Sequence, residues 1–204
     1  MGLFVTFEGI EGSGKSTQAR MLKRRLERRA YQVTMTYEPG GTALGARLRR
    51  LLKYGETVTP VAEVLLFAAS RAQLVREVIR PQLGKGNVVL CDRFTDSTKA
   101  YQGYGRGIDL AAIDEINRHA TGGLAPHLTV LLDVPPEQGL RRKPGKPDRF
   151  EREGLAFHRR VRKGYLELAR KEPDRWLVID GAKPKAEVAA EIWSKLSEVL
   201  GAKG

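Results

Sequence analysis

A glycine-rich turn near the start of the chain limits the possible folds more than any other feature. Residues 9–16 read Gly-Ile-Glu-Gly-Ser-Gly-Lys-Ser, which fits the pattern G-x-x-x-x-G-K-[ST] in full. An apolar run, residues 3–7, precedes the turn, and an amphipathic segment, residues 16–29, follows it. Glycines at this spacing let successive backbone N–H groups turn toward a phosphate at the positively polarised start of a helix. The chain is therefore predicted to begin with a strand, a phosphate-binding loop and a helix.

Each part of this loop has a predicted role in binding ATP or GTP. Lys15 reaches the β- and γ-phosphates, and the Ser16 hydroxyl is suited to ligate Mg²⁺. The predicted nucleotide-binding residues of the loop are Gly9, Ile10, Glu11, Gly12, Ser13, Gly14, Lys15, Ser16 and Thr17. GTPases read their base with an Asn-Lys-x-Asp segment, and no such segment occurs in the sequence. A GTPase switch is therefore disfavoured, and a small-molecule kinase suits the chain better.

Short apolar runs alternate with helical periods along the whole chain. The runs cover residues 3–7, 32–37, 87–91, 128–133 and 176–180. The helical periods cover residues 16–29, 43–53, 59–83, 109–121, a broken stretch at 137–170, and 184–200, with Thr59 as a predicted N-cap before Pro60. Near-continuous apolar runs are typical of strands buried on both faces, so this alternation predicts an α/β fold with a parallel sheet. Ligands of such sheets bind at the carboxyl ends of the strands.

Composition narrows the class of protein without selecting one function. The 204 residues are 41% hydrophobic and 29% charged, which excludes a mainly disordered chain. No apolar run approaches the roughly 18 residues that cross a bilayer, and the start lacks a signal-peptide pattern, so we expect a cytoplasmic protein. No repeat or linker divides the sequence, which predicts one domain over residues 1–204. The net charge of +12 predicts anionic partners, whether nucleic acid, a membrane surface or phosphorylated substrates.

Cysteine and histidine provide little chemistry in this sequence. With one cysteine, Cys91, neither an internal disulfide nor a cysteine metal cluster can form. The three histidines, His119, His127 and His158, lack metal-ligand spacing, so no metal or acid–base role is expected of them.

Five blocks of residues, in order along the chain, resemble the bacterial type of thymidylate kinases. The blocks are residues 7–17; Glu38-Pro39-Gly40-Gly41-Thr42 with Leu44-Gly45 and Leu48-Arg49; residues 66–71; Asp92-Arg93-Phe94 with Ser97-Thr98 and residues 100–107; and Arg141-Arg142 with residues 148–151. The resemblance implies phosphorylation of dTMP by ATP with Mg²⁺. It also implies a P-loop NTPase fold with a five-stranded parallel sheet flanked by helices, a mobile lid at residues 141–152, and a homodimer packed through long helices. The implied partners are the nucleotides ATP and dTMP, not nucleic acid or a membrane.

Two residues that follow the third predicted strand are the best candidates outside the loop. The second pKa of a phosphate monoester is about 6, so the acceptor is already ionised and no general base is needed. Catalysis then consists mainly of positioning and charge neutralisation. Arg93 can hold the acceptor phosphate in a fork, and Asp92 can orient Mg²⁺ through water. The alternative for Arg93 is a structural ion pair with Asp92 or Asp96.

Candidates for binding the base and sugar lie on predicted helices. Phe67 and Arg71 are four residues apart, so a ring to stack on a base and a guanidinium to bind its carbonyl share one helix face. The residues alone favour a core position for Phe67, because residues 65–67 look like a buried patch, whereas the resemblance implies contact with the base. Glu11 can accept a sugar hydroxyl, and the resemblance implies the 3′-hydroxyl. The further substrate candidates are Arg49, Ser97, Tyr101 and Gln102; surface solvation is the alternative for Arg49.

The segment 139–149 is densely basic and is broken by two prolines and a glycine, which predicts a hinged loop. A lid that closes over ATP would bring arginines to the transferring phosphoryl group and expel water. Arg149 is the first candidate for catalysis, and Arg141 and Arg142 are candidates for binding ATP. Eukaryotic relatives carry a basic residue in the phosphate loop, where this chain has Gly12. The alternatives are a kinase for another nucleoside monophosphate and a nucleic-acid-binding ATPase.

Overall fold

A five-stranded, all-parallel sheet forms the centre of the protein in a computed structural model that describes residues 2–55, 57–142 and 146–201. Its strands are β1 (Leu3–Glu8), β2 (Val33–Tyr37), β3 (Val88–Asp92), β4 (Leu128–Asp133) and β5 (Trp176–Asp180), in the spatial order β2-β3-β1-β4-β5. In the register, Phe7 on the central strand lies opposite Asp92 of β3 on one side and Val130 of β4 on the other. The predicted parallel sheet is confirmed, and every strand agrees with its prediction to within one residue at each end.

Helices cover both faces of this sheet. They are α1 (Lys15–Glu27), α2 (Ala43–Tyr54), α3 (Pro60–Leu74), α4 (Arg80–Gly84), α5 (Thr95–Thr98), α6 (Leu110–Thr121), α7 (Pro136–Arg141), α8 (Leu155–Lys171) and α9 (Lys185–Gly201). Successive strand residues point to opposite faces. Val5 and Phe7 of β1 therefore pack in one apolar cluster with residues of α1 and α9, whereas Phe4 packs in another with residues at and beyond the end of α3. The three-layer arrangement follows from strands that are apolar on both faces.

In the described part of the chain two segments are π-helical, and the first lies within a region predicted as regular helix. The helical period at 59–83 consists of α3, a π-helical turn at Val75–Ile79, and α4. Pro81 accounts for the wider turn, because proline has no N–H to donate and its ring clashes with the carbonyl four residues earlier. A second π-helical segment, Lys99–Gly105, continues α5.

Local capping rules hold at some helix starts and fail at one. The Thr42 hydroxyl accepts a hydrogen bond from the Gly45 N–H at 3.0 Å at the start of α2, and Asp109 caps α6 in the same manner. Thr59 precedes α3 with Pro60 at the first helical position, as predicted, but its side chain makes no capping hydrogen bond. Among the helices that the structure describes, none combines the length and apolar character needed to cross a membrane.

Candidate active site

A cavity of about 550 Å³ opens at the carboxyl ends of β1 and β3, beside the start of α1. Its walls include most of the residues predicted from the sequence to bind nucleotide or acceptor. These are Glu11, Gly12, Gly14, Lys15, Ser16, Thr17, Arg49, Phe67, Arg71, Asp92, Arg93, Ser97, Tyr101, Gln102 and Arg142. Of the other predicted site residues, Ile10 and Ser13 of the loop are buried, and Gly9, Arg141 and Arg149 do not line the cavity. The edge of the sheet predicted to bind ligands is therefore the edge that carries the cavity.

The phosphate loop holds Lys15 at the cavity wall. Gly9, Gly12 and Gly14 have φ angles of 135°, 70° and 97°, values that favour glycine. Lys15 Nζ donates hydrogen bonds to the carbonyl oxygens of Gly9 at 2.9 Å and Ile10 at 2.6 Å. Burial and the nearby Arg93 lower the pKa of Lys15 to about 8, with Asp92 and other carboxylates opposing that shift. Lys15 is therefore still mainly cationic at neutral pH and already lies among the loop carbonyls.

Gly12 also marks a close contact between the phosphate loop and the start of the lid segment. A Cβ atom at Gly12 would lie 1.9 Å from the carbonyl oxygen of Gly139 in α7. Both the left-handed backbone and this backbone contact exclude a side chain here. A basic residue at this position, as in the eukaryotic type, therefore does not fit this packing.

We expect Gly12→Ala to lower the free energy of unfolding by about 2–4 kcal/mol, because backbone strain and a clash with Gly139 add. Gly86→Ala is the matched control, since Gly86 has a φ of 81° but open space around its Cβ position. Its expected cost is about 1 kcal/mol, from the backbone alone. Urea unfolding of both variants measures the difference, and equal losses would contradict the contact with α7.

Oxygen ligands for Mg²⁺ lie at the end of the phosphate loop. The Ser16 hydroxyl donates a short hydrogen bond to Asp92 Oδ2, and both residues line the cavity. Mg²⁺ prefers oxygen ligands, keeps several of its waters, and usually takes one or two protein groups together with substrate phosphates. This pair fits that requirement, with β3 providing the carboxylate and the start of α1 the hydroxyl.

Arg93 is the centre of a hydrogen-bond network beside the phosphate loop. Its Nη2 lies 3.0 Å from Glu11 Oε1 and 3.1 Å from the Tyr101 hydroxyl. Its Nη1 lies 3.2 Å from Ser97 Oγ and 3.1 Å from the Tyr165 hydroxyl. The backbone of Arg93 has a φ of 74°, which is uncommon for a residue with a side chain. Its ion-pair partner is thus Glu11, and neither of the alternatives, Asp92 and Asp96, pairs with it.

Charge compensation keeps Glu11 ionised. Burial alone would raise the pKa of the Glu11 carboxyl, but Arg93 and Lys15 lower it below its ordinary value. The Tyr101 hydroxyl lies 2.7 Å from both carboxylate oxygens. Glu11 is therefore a charged acceptor of hydrogen bonds at the cavity wall, as its predicted contact with a sugar hydroxyl requires.

Glu8 supports this network from beneath, although the sequence did not single it out as a site residue. Its carboxylate accepts hydrogen bonds from the Phe94 N–H at 2.8 Å, Ser97 Oγ at 2.5 Å and the Tyr165 hydroxyl at 3.0 Å. Ser97 and Tyr165 in turn contact Arg93. Burial, together with the charge of Asp96, raises the pKa of Glu8 to about 7. Glu8 thus positions the partners of Arg93 without lining the cavity.

The raised pKa makes Glu8 a source of pH-dependent stability. Its favourable contribution is complete below pH 4.5, its ordinary pKa, and is lost as the pH rises from there to about 7, because in this range the folded state keeps a proton that the unfolded chain releases. Glutamine does not titrate. We therefore expect the fall in the free energy of unfolding between pH 4.5 and about 7 to be about 3 kcal/mol smaller in Glu8→Gln than in the parent. Urea unfolding across that pH range measures it, with the exposed Glu198→Gln as control. Profiles that stay parallel for parent and Glu8→Gln would contradict the assignment.

The base end of the cavity combines a ring with a buried guanidinium. Phe67 is half-buried, with its ring centroid 5.9 Å from that of Phe150. Leu65 is 53% exposed, so residues 65–67 do not form the buried patch that favoured a core position for Phe67. Arg71 is 1% exposed and pairs with Glu38 at 2.7 Å. Phe67 and Arg71 line one cavity, as their spacing predicts.

Internal partners hold Arg71 in place. Nε and Nη2 donate to Glu38, Nη2 also contacts Thr98 Oγ1 at 2.9 Å, and Nη1 donates to Asn117 Oδ1 at 2.5 Å. Nη1 carries two N–H groups. In the described part of the chain, the second has no hydrogen-bond partner. One donor is therefore left for a ligand in the cavity.

Gln102 and Arg49 line the same cavity. The Gln102 amide donates to Glu63 at 2.6 Å, and Arg49 donates to the Pro39 carbonyl oxygen at 3.1 Å and is half-buried. Arg49 is thus not simply a solvated surface residue.

The three lid arginines differ in their positions. Arg142 lines the cavity and donates to the Gly181 carbonyl oxygen at 3.0 Å, and Arg141 is exposed. Arg149 Nη2 lies 2.7 Å from Glu63 Oε2, and its Nε donates to the Leu52 carbonyl oxygen. In this structure the buried carboxylate of Glu63 thus holds Arg149 outside the cavity, and the catalytic role of Arg149 stays a prediction. Residues 143–145 of the predicted lid lie outside the described residues.

Sequence reasoning missed residues that reach the site from α8. Tyr165 contacts Arg93 and Glu8, and its position in α8 has the spacing of an ordinary core face. His158 is fully buried, with Nδ1 3.6 Å from Glu11 Oε2. Neither the periodicity of the helix nor its composition distinguishes these residues from core positions. The aromatic hydroxyl of Tyr165, which needs a partner when buried, was the only available signal.

The sheet order and the phosphate loop are those of a P-loop nucleotide-binding protein, and Arg93 adds a second cation to the same cavity, as a kinase that transfers a phosphoryl group between nucleotides requires. The thymidylate kinase family model matches residues 7–192. A thymidylate kinase of Deinococcus radiodurans is 54% identical over 200 residues, which cover 97% of each chain. The chain belongs to the thymidylate kinase family, and it is therefore a transferase of nucleotide biosynthesis.

Two further relatives show the same similarity. A thymidylate kinase of a Synechococcus species is 55% identical over 192 residues, which cover 94% of this chain and 93% of that one. The crystal structure of a thymidylate kinase from Ehrlichia chaffeensis superposes with a TM-score of 0.80 at 36% identity, covering 96% of this chain and 98% of that chain. The predicted resemblance is thus confirmed over nearly the whole sequence.

Proposed function

We propose that this chain transfers the γ-phosphoryl group of ATP to dTMP by holding both phosphates between Lys15 and Arg93. The observation that carries the proposal is the cavity that both of these cations line, one on the phosphate loop and one after β3. Two anions repel each other, so fixed cations lower the barrier to bringing them together. The acceptor phosphate is largely ionised at neutral pH, and accordingly no general base is assigned.

The residues around each cation indicate which part of the cavity binds the phosphate donor and which part binds the acceptor. Backbone N–H groups of the loop and Lys15 bind the donor phosphates, with Arg142 on the same cavity wall. Arg93 binds the acceptor phosphate through its fork, with Arg49 as a second cation. Arg149 would have to leave Glu63 to reach the transferring phosphoryl group. Residues 141–152 are proposed to act as a lid within a single kinase domain.

Mg²⁺ is the proposed cofactor with ATP. When bound, it neutralises charge on the donor phosphates and orients them. Ser16 would provide a hydroxyl ligand and Asp92 would orient the metal's waters, since the two residues touch at the end of the loop.

Specificity for the base and sugar comes from the remaining walls. Phe67 stacks on the base, and the second Nη1 N–H of Arg71 donates to an exocyclic carbonyl oxygen of a pyrimidine. Ser97, Tyr101 and Gln102 surround the sugar end. Glu11 accepts the 3′-hydroxyl of the acceptor. Because Arg71 has only a donor to offer, cytosine, which presents an amino group there, is disfavoured.

The test is Mg-ATP-dependent release of ADP against dTMP, dUMP, UMP, CMP, AMP and GMP, each with a blank that lacks acceptor. We expect the highest kcat/KM with dTMP and little release in the blank. Release that is independent of acceptor, or that favours a purine monophosphate, would overturn the assigned substrate.

We also propose a homodimer, packed through α2 and α3. Large apolar side chains on these neighbouring helices are exposed, and a contiguous exposed apolar surface marks an interaction site. They are Leu44 at 41%, Leu51 at 43%, Tyr54 at 70%, Val61 at 61% and Leu65 at 53% exposure. The location of the enzyme in the cytoplasm stays a prediction.

We expect the parent protein to sediment at twice its 22.7 kDa mass and Leu65→Glu to sediment as a monomer, because a charge at a buried apolar contact is costly. Sedimentation velocity gives both masses. Val178→Glu, which changes an exposed apolar residue on β5, is the control and should leave the mass unchanged. A parent that sediments as a monomer, or a Leu65→Glu variant that stays dimeric, would contradict this interface.

A further inference from the structure

His158 on α8 is buried beside the acceptor site, yet the proposed mechanism does not use it. Its side chain is 0% exposed, and its Nδ1 lies 3.6 Å from Glu11 Oε2. Within residues 2–55, 57–142 and 146–201, neither ring nitrogen has a hydrogen-bond partner. A neutral imidazole has one N–H donor and one acceptor, and leaving such groups unpaired in the interior is unfavourable. The position of His158 therefore needs an explanation other than packing.

The contacts of Glu11 show where this imidazole can act. Glu11 Oε1 accepts hydrogen bonds from both Arg93 Nη2 and the Tyr101 hydroxyl. Glu11 Oε2 accepts from Tyr101 but not from Arg93 among the described residues, and it is the oxygen that faces His158. The carboxylate thus has one oxygen occupied by a cation and one with room for a further donor on the side of α8.

Binding of the acceptor is expected to weaken the ion pair between Glu11 and Arg93. Arg93 Nη2 cannot at once be fully used by Glu11 and by an acceptor phosphate. As Arg93 turns toward the phosphate, the buried carboxylate of Glu11 loses part of its compensation, and a buried charge without a partner is costly. His158 lies beside Glu11, and a movement of less than 1 Å would bring its Nδ1 from 3.6 Å to hydrogen-bond distance of Glu11 Oε2.

We propose that His158 is a positioning residue of the acceptor site. Its Nδ1–H donates to Glu11 Oε2 when dTMP is bound and keeps Glu11 directed at the 3′-hydroxyl while Arg93 binds the acceptor phosphate. The inference rests on the proposed roles of Glu11 and Arg93. It gives α8 a part in recognising the sugar, through a residue that does not touch the substrate.

The alternative is a purely structural role in the core. The Phe157 ring lies 5.4 Å from the imidazole in an edge-to-face arrangement, and so the surroundings are partly apolar. A structural residue there would be served equally well by leucine, which fills similar space without unpaired nitrogens. The positioning role therefore requires the N–H of His158 and the 3′-hydroxyl of the acceptor, whereas a structural role requires neither.

The experiment compares His158→Leu, which removes the donor, with His158→Asn, whose amide places an N–H near the position of Nδ1. Steady-state kinetics are measured with dTMP and with its 3′-deoxy analogue as acceptors. For His158→Leu we expect KM for dTMP to rise about tenfold, equivalent to about 1.4 kcal/mol, with KM for ATP changed less than twofold. With the 3′-deoxy analogue the rise should fall to about twofold, and His158→Asn should restore most of the affinity for dTMP.

Several outcomes would overturn the proposal. These are an equal rise in KM for both acceptors, no rescue by asparagine, or a loss of thermal stability with unchanged kinetics. His119→Leu, at an exposed histidine, is the control. If His158→Leu does not fold, His158→Gln replaces it, because the longer glutamine places its amide near Nε2. Glutamine and asparagine variants of equal affinity would then contradict a role for Nδ1.

The parent enzyme separates failure of this inference from failure of the proposed function. If the parent does not distinguish dTMP from the 3′-deoxy analogue, the proposed role of Glu11 is wrong, and that of His158 is wrong with it. If the parent distinguishes them and His158→Leu does so to the same extent, only the inference about His158 is wrong.

Discussion

Replacing Arg93 by alanine is expected to lower kcat/KM for dTMP about 10³-fold, which corresponds to about 4 kcal/mol of transition-state stabilisation. Arg93 is the cation of the acceptor wall, and its guanidinium is held by Glu11, Ser97, Tyr101 and Tyr165. Its removal takes the fork away from the acceptor phosphate and leaves the buried Glu11 without its ion-pair partner. Both effects act on the acceptor rather than on ATP.

Steady-state kinetics at saturating Mg-ATP, with calorimetric titration of ATP, test this expectation. Affinity for ATP should change by less than about fivefold. Arg93→Lys should recover little activity, because an ammonium group cannot reproduce the planar, bidentate contact. Arg28→Ala, which removes an exposed arginine beyond the end of α1, is the matched control and should retain full activity. A loss below tenfold for Arg93→Ala would remove Arg93 from the acceptor site.

Replacing Lys15 by alanine is expected to lower kcat by about 10²–10³-fold, the usual cost of removing one preorganised donor from a transition state. In this structure Lys15 Nζ is held by the carbonyl oxygens of Gly9 and Ile10. Binding of the donor phosphates offers it a better partner than a carbonyl, because the phosphate is charged. The pKa of about 8 leaves Lys15 cationic at neutral pH.

The measurement for Lys15 separates kcat from KM. Because Arg93 and its partners are intact in Lys15→Ala, KM for dTMP should stay within about threefold of the parent value. Thermal unfolding of the variant checks that the loop still folds without the hydrogen bonds of Nζ. Lys163→Ala, at a lysine that is 75% exposed, is the matched control. A change confined to KM for ATP would show that Lys15 binds the donor without stabilising the transition state.

Much of the fold was predictable because its rules are local. The five strands are short, near-continuous apolar runs, and their bounds follow from the points where polar residues and glycines begin. The phosphate loop is specified by its own glycines, since the left-handed backbone at Gly12 and Gly14 is open to glycine and strained for other residues. The same locality explains one failure, the long helix before β3. Its apolar period continues unbroken through residues 75–79, so the sequence pattern gives no sign of an interruption. In the structure these residues form a π-helical turn, which we attribute to Pro81.

The sequence predicted candidate residues after the strands and on the helices that carry its motifs, but it missed those that come from α8. Lys15, Asp92 and Arg93 lie directly after strands or on the loop, and strand ends of a parallel sheet meet at one edge. Tyr165 lies 157 residues from Glu8, and His158 is likewise far from Glu11 in the sequence. Which side of α8 faces the cavity depends on how the helix packs on the second π-helical segment. Periodicity identifies a buried face but not what that face contacts.

The sequence by itself determined the class of fold, the nucleotide loop and, through its motifs, the family. These are carried by short stretches whose backbone conformation depends on their own residues. Only the tertiary structure decided the partners of the charged groups: Arg93 with Glu11, Arg71 with Glu38, and Arg149 with Glu63. A buried charge pairs with whichever opposite charge the fold brings within reach, because burial without a partner is too costly. The distances between helices and strands determine which charges can pair, and the packing of the whole chain sets these distances.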